Sequence, residues 1–273
     1  MISTTGQMTT GQMSTGQMGT GQIPVSSQRE RVGSAIARAS AASGVDFGYM
    51  LNQARMESGL NPAARARTSS AAGLYQFIEQ TWLATVKKHG AANGIGWAAD
   101  SIQRGSDGRY RVADPATRHA ILELRGQPET AAAMAGAFAA DNRDYLQSRL
   151  GRPVASVDLY LAHFLGAAGA ARFLNAHDSD SSASAAAVLP AAARANRAVF
   201  FNHDGSARSL AEIRDRFAAR INGGGNGPVP ALDAPRDLAS VRMASRDTAG
   251  QPLGGPSPQF ARLAYLMLAG LGG

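Results

Sequence analysis

The chain has 273 residues, a net charge of +7, 44% hydrophobic and 6% aromatic residues, and no cysteine. That length holds one domain of about 150–200 residues plus tails, or two small domains, and the lack of cysteine excludes disulfides and thiolate metal sites. Abundant alanine with few aromatics favours helices over sheets, so an all-α class is predicted. The positive charge favours an anionic partner such as nucleic acid, a membrane surface or cell wall, or reflects arginine use alone.

In chain order, residues 1–28 come first and repeat with a period of five. Thr5-Gly6-Gln7-Met8, Thr10-Gly11-Gln12-Met13, Thr15-Gly16-Gln17-Met18 and Thr20-Gly21-Gln22-Ile23 are copies of one unit. Such a tract buries too little apolar surface to offset its ordering entropy, and it is predicted to be disordered. It has no charged side chain and no apolar core, so it is not a conventional signal peptide. An export or docking leader and a slippage-expanded linker are the two readings.

Residues 29–222 read as a run of helices. Val32, Ile36 and Ala39 mark the first, which Gly44 ends. Asp46 is placed to cap the second, with Phe47, Met50, Leu51 and Ala54 as its apolar stripe. Gly59 and Asn61-Pro62 end it. Asp114-Pro115 pairs an N-cap with proline at the first helical position. Residues 129–149 are alanine-rich, with Met134, Phe138 and Leu146 as larger apolar side chains, and Ser209 with Glu212 matches a capping box. No period-two strand stands out. Residues 223–259, rich in Gly, Pro, Ser and Asp, read as a flexible linker. Residues 260–273 turn apolar again but fall short of the ~18 residues a membrane span needs. An interfacial helix, a docking peptide and a strap folded back on the domain all suit them.

One acid stands out. Continuing the stripe of the second helix puts Glu57 on the face turned towards the protein. Partial burial and the negative end of the helix dipole both favour a neutral carboxyl there. A carboxyl that keeps its proton is a candidate general acid. The plainer reading is a partly buried glutamate paired with Arg55, Arg65 or Arg67.

Glu57-Ser58, a loop of small and polar residues, and then Gly73-Leu74-Tyr75-Gln76, read as opening an aromatic-bearing helix, resemble the soluble lytic transglycosylases, a lysozyme-like family that cleaves peptidoglycan. Leu159-Tyr160-Leu161-Ala162-His163-Phe164-Leu165-Gly166 sits where that family has an Ala-Tyr-Asn-x-Gly element. The resemblance covers roughly residues 30–220. It implies a lysozyme-like helical domain with a substrate groove between disordered tails, and Glu57 as single catalytic acid and base. It implies that Ser58 supports the helix end, that Thr68, Ser69 and Ser70 match a small hydroxyl region, one member of which contacts the N-acetyl group, that Gly73 makes a tight turn, and that Gln76 contacts substrate. Tyr75 replaces the family's methionine and would stack on sugar; Tyr160 and His163 complete the substrate-binding set. His163-Phe164 replaces Tyr-Asn, so His163 or another residue such as Asn196 has to supply the missing polar contact.

Residues 58–78 contain no second acid, and Glu79 reads as a solvated charge. The implied chemistry then uses the substrate's own acetamido group and 6-hydroxyl and leaves a 1,6-anhydro end on N-acetylmuramic acid. Hydrolysis on the same scaffold and a non-catalytic wall-binding or export-scaffold module are the alternatives. No cofactor or metal is expected. The expected partner is the peptidoglycan glycan strand. A nucleic-acid partner is not expected, since no basic patch interleaves with aromatics. The resemblance implies a monomer in the periplasm or cell envelope. The leader suits export through a flagellar or type III apparatus, or a phage-borne enzyme.

Overall fold

The structure, a computed structural model, describes residues 25–67 and 69–222. The repeat through residue 24, Thr68, and the expected linker and apolar segment at 223–273 lie outside the described residues.

The described chain is all-α, as predicted. In order come α1 (Val25–Ser43), α2 (Phe47–Ser58), α3 (Glu79–His89) and α4 (Gly96–Ser101). A hairpin of β1 (Gln103–Arg104) and β2 (Tyr110–Arg111) follows, then α5 (Pro115–Glu123), α6 (Pro128–Leu150), α7 (Ser156–Leu165) and α8 (Ala167–Ser179). Three short helices, α9 (Ala185–Val188), α10 (Pro190–Ala195) and α11 (Arg197–Phe200), lead to α12 (Leu210–Asn222).

The local start signals act as read. Asp46 Oδ1 accepts from the Tyr49 N–H at 2.7 Å, and Asp114 Oδ2 from that of Thr117 at 2.7 Å. The Ser209 N–H donates to Glu212 Oε2 at 2.7 Å while the Glu212 N–H donates to Ser209 Oγ at 3.1 Å, a reciprocal cap. Gly59 closes α2 in the left-handed conformation, its N–H bonding back to Ala54 and Arg55.

Four expectations need correction. Helix α1 begins at Val25, ahead of the boundary expected at residue 29, because Ser26, Ser27 and Gln28 contain no helix breaker. A β-hairpin exists, but two residues per strand are too few to show a period. The buried face of α2 is Tyr49, Met50, Gln53, Ala54, Met56 and Glu57, while Phe47 is 41% exposed. Gly73-Leu74-Tyr75-Gln76 does not open a helix. It is a turn between the bridged residues Ala72 and Phe77, and α3 starts only at Glu79. Gly73 (φ 80°) and Gln76 (φ 46°) both lie in the left-handed region, which a helix cannot use.

Helix α1 lies along α6, and α12 packs against α2, α7 and α8. Tyr160 and Phe164 of α7 meet Phe217 of α12 at ring-centroid distances of 5.3 and 5.1 Å. The Asn52 amide of α2 donates to the Ile221 carbonyl at 2.8 Å, tying the two helices that flank α7. Trp82 of α3 is fully buried, and its indole N–H donates to the Ile121 carbonyl at 2.8 Å. Among the described residues no helix is long and apolar enough to cross a membrane.

Candidate active site

Helix α2 and helix α7 bring together two residues 106 apart in sequence. His163 Nε2 lies 2.9 Å from Glu57 Oε1, with side-chain exposures of 5% and 1%. So Glu57 is paired with a histidine rather than an arginine. Arg65 goes to Glu123 at 2.7 Å, and Arg55 donates to Asn52 Oδ1 at 3.4 Å. The other oxygen of Glu57, Oε2, is buried with no hydrogen-bond partner. Leaving a buried acceptor unsatisfied costs about 1–3 kcal/mol. Such an atom marks a place where the fold is not optimised for stability alone.

Behind the histidine stands Gln53, one turn before Glu57 on the same face of α2. Its amide nitrogen lies 3.1 Å from His163 Nδ1. The sequence signal for it is a polar residue at i−4 from Glu57, beside an apolar stripe that lies on the neighbouring face. The His163 ring stacks on Tyr160 at 6.1 Å and 10°.

Tyrosines wall the carboxyl. Burial pushes the Tyr49 phenol well up, and the nearby Tyr160, Tyr75 and Glu57 add to this. Burial likewise pushes Tyr160 up, with Glu57 as the next cause and Arg220 of α12 acting the other way. Tyr75 is pushed up by burial alone, and its hydroxyl finds no partner. Among the described residues, Glu57 is the one carboxylate that acts on both the Tyr49 and the Tyr160 phenols.

The loop before α3 is held firmly. Ser58 Oγ donates to the Ala54 carbonyl at 3.1 Å and to the Leu74 carbonyl at 2.8 Å, which ties the end of α2 to the turn. Gln76 is buried, and its amide nitrogen donates to the carbonyls of Ala64 (3.1 Å) and Gly73 (2.9 Å). That nitrogen serves the loop rather than a groove. Arg125 Nη1 donates to the carbonyls of Ser70 (2.6 Å) and Phe77 (2.9 Å). Its own carbonyl lies where a Cβ at residue 73 would be, 1.9 Å away, so only glycine fits.

The remaining predicted residues separate. Ser69 Oγ accepts from the Ala71 N–H at 3.2 Å, and Ser70 Oγ accepts from the Glu79 N–H at 3.2 Å, both within the loop. Thr68 lies outside the described residues. Glu79 pairs with Arg118 at 2.6 Å and is not a free solvated charge. Asn196 donates to Ala192 within its own segment.

Among the described residues, Glu57 is buried and does not face an open groove. The space beside the cluster is a cavity of about 10 Å³, room for about one water. Gln53, His163, Tyr49 and Tyr75 line it with Phe138 and Asn142 of α6. Tyr75 is therefore part of a packed wall, not an exposed stacking platform. A wider groove of about 580 Å³ lies on another face of α6, lined by Arg38, His89, Glu129 and Asp141 among others. No protein-family model matches the chain.

Proposed function

We propose that this protein is a lytic transglycosylase that cuts the β-1,4 bond between N-acetylmuramic acid and N-acetylglucosamine in peptidoglycan. One observation carries the reading. Glu57 has one oxygen fixed by His163 and the other buried without a partner, and among the described residues no second carboxylate acts on the tyrosines beside it. Two-carboxylate glycosidases place a nucleophile or a second base opposite the acid. A single carboxyl suits chemistry in which one group does both proton transfers.

In this scheme Oε2 gives its proton to the bridging oxygen as the bond from C1 of the muramic sugar to that oxygen breaks. The substrate's acetamido oxygen stabilises the cationic C1. The muramic 6-hydroxyl then bonds to C1 and returns its proton to Glu57. Water is neither consumed nor released, and Glu57 ends as it began. Ser58, Gly73, Gln76 and Arg125 hold the frame, and the buried Tyr75, Tyr160 and His163 pack behind it. Oε2 is buried, so sugar reaches it only after the packing around Glu57 opens. The partner is the glycan strand, whose anionic stem peptides suit a positively charged protein. The reading places the protein in the periplasm or cell envelope as a monomer, with a flagellar or type III apparatus as its route.

The closure of Glu57 favours a second reading, a wall-binding or export-scaffold module that keeps the site without turnover. Glu57→Gln separates the two. It keeps size and removes the proton donor, so clearing of purified cell wall should fall by at least ~10²-fold with the helical circular dichroism unchanged. Equal clearing by a folded Glu57→Gln protein removes the enzymatic role from Glu57. Wall binding by the wild-type chain with no clearing selects the module.

A further inference from the structure

The arrangement around His163 goes further than a polar contact to substrate. An amide nitrogen can only donate, so the Gln53 nitrogen facing Nδ1 at 3.1 Å makes Nδ1 the acceptor. In a neutral imidazole the proton then sits on Nε2 and is directed at Glu57 Oε1, 2.9 Å away. An oxygen already accepting that bond is the poorer place for a carboxyl proton. We propose that Gln53 and His163 form a positioning relay that fixes the Nε2–H on Oε1 and confines the exchangeable proton of Glu57 to Oε2, its unpartnered oxygen.

This rests on the reading of Glu57 as acid and base and deepens it. General acid catalysis needs its proton on the atom that faces substrate, and the same atom must take a proton back in the second half. A fixed donor on Oε1 serves both halves without rotation of the carboxyl. The surroundings support a single occupied state. Gln53 comes from α2, and the Tyr160 ring stacks on the imidazole from within α7. Tyr49 from α2, Tyr75 from the loop and Tyr160 are phenols that burial keeps protonated, and Arg220 of α12 stands beside Tyr160. None of these phenols offers a negative charge that would draw the imidazole proton to Nδ1. The cavity touching Gln53 and His163 has room for about one water, so the relay is shielded from bulk exchange.

The test combines a spectroscopic and a kinetic readout on the full chain. Nitrogen-15 NMR of labelled histidine reads which ring nitrogen carries the proton, without any need for turnover. The relay requires His163 as the Nε2–H tautomer near neutral pH, and a mixed tautomer signal in Gln53→Leu. An Nδ1–H tautomer or a doubly protonated ring in the wild type overturns it, since Gln53 would then present its oxygen. On cell wall, His163→Leu should lose about 10²-fold through misplacement of the acid, and His163→Gln, which keeps a donor towards Oε1, should recover most of that loss. A His163→Gln protein as inactive as a folded His163→Leu protein also overturns the relay. If Glu57→Gln clears wall normally while the Nε2–H tautomer is found, the catalytic reading fails and the relay stands as structure.

Discussion

Glu57 has one oxygen bonded and one left over, and that asymmetry comes from its neighbours. Burial in a helical core would ordinarily remove a carboxylate or pair it fully. Here the partner is a histidine whose other nitrogen is itself held. The position of Glu57 on the inner face was legible from spacing, because helical periodicity carries through to residue 57. Its partner was not, because nothing local links residue 57 to residue 163. Gly73 shows the same division. A tight turn was expected there, yet the reason that only glycine works is the Arg125 carbonyl, which arrives from a distant part of the chain. Gly73→Ala adds both a close contact and a left-handed strain. The strain alone costs about 1–2 kcal/mol, and the 1.9 Å approach to a backbone oxygen adds to it. Thermal unfolding should show a clear drop in midpoint. An unchanged midpoint would mean that the loop and Arg125 separate easily.

At the scale of elements, the start signals proved the most readable because each is local. Asp46, Asp114 and the Ser209–Glu212 pair satisfy N–H groups within three residues of themselves. The rotation of α2 was not readable, since Gln53 is buried against a partner 110 residues away while Phe47 stays 41% exposed among the described residues. The turn at Gly73–Gln76 resembles a helix start in sequence because Gln76 carries no visible mark of its left-handed backbone. Helix α7, which carries His163, is anchored by Asp158. That carboxylate is fully buried, accepts from Arg152 at 2.9 Å and Arg214 at 3.2 Å, and accepts the Ala155 N–H at 3.1 Å. Removing one member of a buried ion network costs about 3–5 kcal/mol, and the partial exposure of both arginines places this case at or below the lower end. Asp158→Ala should lower stability by about 3 kcal/mol in urea unfolding, with some loss of activity as α7 loosens. A change under ~0.5 kcal/mol, the scale of ordinary surface sites, would mean that the arginines rehydrate without cost.

For the whole molecule, the all-α class followed from composition, since alanine-rich segments without β-branched alternation have little else to form. The arrangement of helices around α7 did not follow, because packing partners are set by long-range contacts. The described residues share one hydrophobic core running from Val32 to Ile221, so a fragment of residues 25–222 should fold and clear cell wall as the full chain does. Failure of a folded fragment would give the remaining segments a part in the reaction. The most direct test of the central claim is mass spectrometry of muropeptides released from purified peptidoglycan. With one carboxyl handling both proton transfers and an intramolecular 6-hydroxyl already in place, the account predicts fragments ending in 1,6-anhydro-N-acetylmuramic acid, one water lighter than hydrolytic products. Fragments with reducing ends would contradict it, since an activated water would then have attacked C1 in place of the 6-hydroxyl.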